Sequence, residues 1–132
     1  MAQILLVDDD DMFRPMLQAM LERQGHQVIS AQNGDQALAR HREERCDLVI
    51  TDIIMPDKEG LETIRALVRE NPAVRIIAMS GGGRTSAADY LSLAKRFGAA
   101  ALLTKPFSGQ ELADAIGAVL ARPDSVDVTA DT

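Results

Sequence analysis

Short, almost wholly apolar runs alternate along this chain with longer stretches whose apolar residues return every three or four positions. The runs cover residues 4–7, 27–31, 48–51, 75–79 and 101–104. Several lack a polar face, which predicts strands covered on both sides in a parallel sheet. Phe13, Met16, Leu17, Met20 and Leu21 follow the i, i+3, i+4, i+7, i+8 spacing of a helix with one apolar face, as do Leu112, Ala115, Ile116, Val119 and Leu120. Both stripes are expected in the core. Gly25 and Gly98 stand where helices should end, and Pro15 falls in the first turn of its helix, where a missing N–H costs least. The order is five βα units, which predicts an open, doubly wound, five-stranded parallel sheet with helices on both faces. One domain over residues 2–121 is expected, followed by a loose tail over 122–132 with little apolar content.

Composition narrows the function. A chain of 132 residues with 46% apolar content can bury about two thirds of its unfolded surface, enough for a real core. The net charge of -6 and pI near 4.8 argue against nucleic-acid binding, which needs clustered Lys and Arg. A lone cysteine, Cys46, forms no internal bridge and fits a reducing compartment. No run approaches the ~18 apolar residues of a membrane span, and no secretory leader is evident. A cytoplasmic location away from the membrane is expected.

Against this background the segment Asp8-Asp9-Asp10-Asp11, directly after the first strand, is costly. Two carboxylates about 4 Å apart repel by roughly 4 kcal/mol at an effective dielectric of about 20. Asp10 and Asp11 are explained as acids at a helix N-terminus. Asp8 and Asp9 call for a cation or a raised pKa. Ligands of doubly wound sheets bind beyond the carboxyl ends of the strands. There Asp8 and Asp9 end strand 1, Asp52 ends strand 3, Ser80 ends strand 4 and Lys105 ends strand 5. Three carboxylates, a hydroxyl and an ammonium make a crevice for a hard divalent cation and an anion, and Mg²⁺ is the natural ion. Strand 2 adds nothing, with Asn33-Gly34 read as a plain turn, and His26 and His41 are expected at the surface.

Val7-Asp8-Asp9, Asp52-Ile53-Ile54-Met55-Pro56 with Gly60, Ser80, and Lys105-Pro106-Phe107 occur in this order, each at a strand end. Over about residues 2–121 the chain resembles a response regulator receiver domain of two-component signalling. The resemblance implies a flavodoxin-like receiver fold and a role for each residue. Asp52 would accept a phosphoryl group from a phosphohistidine on a sensor histidine kinase or a histidine phosphotransfer protein. Asp9, Asp52 and the Ile54 carbonyl would hold Mg²⁺, with Asp8 acting through water. Lys105 and Ser80 would contact the phosphoryl oxygens, and Pro106 could follow a cis bond. The domain would be a signalling phosphoacceptor that takes part in its own phosphorylation and dephosphorylation, rather than an enzyme. An unknown downstream protein would read its state, and the chain could stand alone or be part of a longer regulator.

Two departures bear on the switch. Leu102 stands where receivers commonly carry Tyr or Phe, so it is expected to be a packing residue. Gly81-Gly82-Gly83-Arg84 lengthens the connection after Ser80, so the readout is expected to run through residues 80–91, with Tyr90 nearby. An Mg²⁺-dependent phosphohydrolase with an Asp nucleophile would use a similar crevice but wants a second Asp where this chain has Ile54. A docking module that is never phosphorylated is the third reading.

Overall fold

The computed structural model describes residues 2–53, 59–81, 92 and 94–121. Five parallel strands, β1 (Gln3–Val7), β2 (Gln27–Ala31), β3 (Leu48–Asp52), β4 (Ile76–Gly81) and β5 (Ala101–Lys105), stand in the order β2-β1-β3-β4-β5. Helices α1 (Phe13–Arg23), α2 (Gly34–Glu43), α3 (Glu59–Glu70) and α4 (Gly109–Leu120) cover the sheet, and residues 94–97 are also helical. The doubly wound expectation is met. The order reverses between β1 and β3, which pair Leu6 with Ile50 and Val7 with Thr51, so the carboxyl ends of these strands open a crevice at the switch point.

Strand alternation divides the core into two layers. Ile4, Leu6, Leu48, Ile50, Ile77, Met79 and Leu103 face α1 and α4, meeting Leu17, Leu21, Leu112, Ile116 and Val119. Leu5, Val7, Val49, Ile76 and Ala78 face the other way, toward Ala37 of α2, Ile64 and Leu67 of α3, and Ala94. Half-buried Leu102 packs against this second layer. Continuing the two-residue period, Asp8, Asp52 and Lys105 fall on the α1/α4 side of the sheet. The fold thus delivers them to one face.

Local chemistry sets the helix boundaries. The Asp10 carboxylate accepts from the N–H groups of Met12 and Phe13 at 2.8 and 3.0 Å, closing the start of α1. Ser108 and Glu111 form a reciprocal capping box on α4. Gly25 and Gly98 have φ of 98° and 125° just beyond helices, as their spacing predicted.

Several expectations need correction. Asn33 is not in a plain turn: its side chain accepts from Gln36 N at 2.8 Å and caps α2. His41 is no surface residue. It is 2% exposed, one turn beyond buried Ala37 on the inner face of α2, with Nδ1 accepting from Cys46 N at 3.5 Å and Nε2 lying 3.4 Å from Asn71 Nδ2. Met16 is 55% exposed, although it falls on the same spacing as buried Leu17 and Leu21. Gly81 belongs to β4, paired with Lys105, rather than to the following loop. Residues 82–91 and 122–132 lie outside the described residues.

Candidate functional site

The carboxyl ends of β1, β3 and β5 place three charged side chains in direct contact. Lys105 Nζ donates to Asp52 Oδ2 at 3.0 Å and to Asp8 Oδ2 at 3.2 Å. Asp8 and Asp52 are both buried, and the Lys105 side chain is 18% exposed. Burial is the largest single influence on the ammonium and opposes its charge. The combined pull of Asp52 and then Asp8 outweighs it, so the Lys105 pKa stands above its ordinary value.

Asp9, next along the chain, is exposed. Carboxylate oxygens of Asp8, Asp9 and Asp52 lie within 4.8 Å of one another. These are hard oxygen donors, and one of them opens to solvent, so the set fits an ion such as Mg²⁺ that binds few carboxylates and keeps several waters. Three carboxylates against one ammonium also leave the cluster short of positive charge. Asp10 is turned to other work. Its carboxyl is held below the usual range by the Phe13 and Met12 N–H groups, and the Asp10 N–H donates to Asp8 Oδ1 at 2.9 Å.

Ser80 is buried near the end of β4, one step beyond Met79, the register partner of Asp52. The sheet therefore brings Asp8, Asp9, Asp52 and Lys105 together and sets Ser80 on the adjoining strand. Ile54, expected to lend its carbonyl, and Pro56 lie outside the described residues. The Lys105-Pro106 bond is cis.

Two neighbours of the cluster went unnoticed in the sequence. Arg14 donates from Nη1 to the Asp8 carbonyl at 2.7 Å and from Nη2 to Asp11 at 2.8 Å, tying the acidic segment to α1 with a charged fork. The i, i+3 spacing of Asp11 and Arg14 could have revealed it. Phe13 places its ring 4.1 Å from Lys105 Nζ, a contact across the whole chain that no local pattern announces.

Known proteins share both sequence and architecture with this chain. The family model for the response regulator receiver domain matches residues 4–117. Protein PilH of Pseudomonas aeruginosa is 39% identical over 123 residues, covering 92% of this chain and 99% of PilH. The transcriptional regulatory protein CpxR of Escherichia coli is 38% identical over 122 residues, but the match spans 50% of CpxR. Among solved structures, a response regulator receiver domain protein from Clostridium thermocellum superposes with a TM-score of 0.83 at 30% identity, covering 91% of this chain and 94% of that one. The Vibrio cholerae chemotaxis protein CheY4 gives 0.81 at 29% identity, covering 90% and 98%. On the family match, the strand-end cluster and the shared fold, the chain belongs to the response regulator receiver domains of two-component systems.

Proposed function

We propose that this domain is the phosphoryl acceptor of a two-component phosphorelay, with Asp52 as the phosphorylated residue. The observation that carries the reading is Lys105 bridging Asp52 and Asp8 at the ligand-binding end of the sheet. A sensor histidine kinase or histidine phosphotransfer protein supplies the phosphoryl group, and a protein of unassigned identity reads the product. The setting is the cytoplasm.

An Asp52 carboxylate oxygen attacks phosphorus of the donor phosphohistidine. The O–P bond forms, the N–P bond breaks, and the leaving imidazole nitrogen takes a proton. Lys105 is poised to exchange a carboxylate oxygen for a phosphoryl oxygen, a charge-assisted contact in either state. Ser80 supplies a hydroxyl to a second phosphoryl oxygen. Asp9 and Asp52 are the residues that would hold Mg²⁺, together with the carbonyl of Ile54, which lies outside the described residues, and Asp8 would contribute through a bound water. The ion, when bound, offsets charge on the phosphoryl oxygens. Two hydrogen bonds to a charged group contribute roughly 1.5–3 kcal/mol each. Carrying a two-state equilibrium from 1:99 to 99:1 takes ~5.5 kcal/mol, and toward this the new Ser80 contact counts in full while Lys105, already bonded to Asp52 and Asp8, counts only by the difference between its two partners.

Incubation with acetyl phosphate and Mg²⁺ tests the reading. A single alkali-labile phosphoryl group, absent without Mg²⁺, is expected. Steady turnover of diverse phosphate esters without a trapped acyl phosphate would replace it with a phosphohydrolase.

A further inference from the structure

We propose that Phe13 is a positioning residue for Lys105, and that an aromatic face at this position sets how fast Asp52 is phosphorylated. The inference rests on the phosphoacceptor reading and adds to it a residue from outside the charged cluster.

Lys105 Nζ lies 4.1 Å from the Phe13 ring centroid, inside the range of a cation–π contact. The ring is itself held. Phe107 meets it edge to face, with centroids 6.2 Å apart and planes at 90°, and the Phe13 N–H is bonded to Asp10 at 3.0 Å. Phe107 follows Lys105 by two residues, so the strand end that carries the ammonium runs directly into the support of its aromatic wall.

An ammonium has three N–H donors on a flexible four-carbon stem. Here two reach Asp8 and Asp52, and the ring covers a further side of the nitrogen. Without that wall, the head group gains a path to water that lysine side chains readily take. The contact also suits a moving partner. When the Asp52 oxygen bonds to phosphorus, the ammonium must shift from a carboxylate oxygen to a phosphoryl oxygen. Hydrogen bonds have to be exchanged in that shift, whereas attraction to a ring face varies gently with lateral position. Phe13 therefore keeps Lys105 inside the crevice while its bonds change hands.

The ring also packs against the α1/α4 core layer, so a test must separate aromatic character from bulk. Phe13→Leu keeps an apolar side chain without a π face, and Phe13→Tyr keeps the face. With the full chain, acetyl phosphate and Mg²⁺, the Leu variant should label roughly three- to thirty-fold more slowly, and the Tyr variant should recover most of the rate. Proton NMR of the Lys105 side chain should show ring-current upfield shifts in wild type and the Tyr variant that vanish in the Leu variant. Wild-type labelling rates in a folded Leu variant, a slow Tyr variant, or unshifted Lys105 resonances in wild type would each overturn the proposal. Absence of any label on wild type would instead overturn the phosphoacceptor reading, and the NMR arm alone would then decide whether Phe13 positions Lys105.

Discussion

Gly60, in the first turn of α3, lies against the backbone of Ile53: a Cβ at position 60 would stand 2.3 Å from Ile53 Cα, 2.5 Å from its carbonyl oxygen and 2.6 Å from the carbonyl oxygen of Asp52. These are backbone atoms that cannot turn aside. The helix is thus docked on the residues that carry the candidate phosphoacceptor, through a contact only glycine allows.

Gly60→Ala should therefore destabilise the domain by about 1–3 kcal/mol, the usual cost of overpacking. It should also displace the backbone at Asp52. Urea unfolding measures the first effect and amide chemical shifts at Asp52 and Ile53 the second. A stable variant with unmoved shifts would mean that α3 is not seated this closely.

Asp9→Ala should weaken Mg²⁺ binding more than Asp8→Ala. Asp9 opens to solvent, whereas buried Asp8 already pairs with Lys105 and would reach the ion through water. The chain has no tryptophan, so NMR titration is the practical assay. Equal affinities would contradict the assigned roles.

His41 links stability to pH. Burial first, then the nearby Arg45 charge, lowers its pKa below the ordinary imidazole value, with Glu70 opposing. The unfolded chain then binds a proton on His41 that the folded chain refuses. Stability from this group is present above about pH 6.5 and is lost as pH falls below it. Denaturation between pH 7.5 and pH 5 should show a shallower loss in His41→Gln than in wild type. Parallel curves would remove His41 as the cause.

Cys46 should be inert. Burial, then the charges of Glu44 and Asp47, push its thiol up to about 11, so little thiolate exists at neutral pH. Iodoacetamide at pH 8 should label it only after denaturation. Rapid labelling of the native protein would show that the β3 entry opens.

The sheet was legible because its strands are short apolar runs between helical stripes, and Asp8, Asp52 and Lys105 because each directly follows or ends such a run. What stayed hidden depends on three-dimensional context. His41 follows Ala37 by one turn, which places it on the inner face, but a histidine among arginines reads as solvated. Met16 fits the apolar stripe of α1 yet is 55% exposed, and the spacing alone does not say which members of a stripe the neighbouring elements cover. Phe13 reads as core from its spacing, and only the tertiary fold brings the Lys105 ammonium, at the end of β5, to its ring.

The central claim is that Asp52 carries the phosphoryl group, and intact-mass spectrometry of wild type and Asp52→Asn after acetyl phosphate and Mg²⁺ tests it most directly. Wild type should gain one phosphoryl group and the variant none, while both keep the same circular dichroism, since the sheet rather than this carboxylate holds the domain together. Uptake by Asp52→Asn as fast as by wild type would contradict the account.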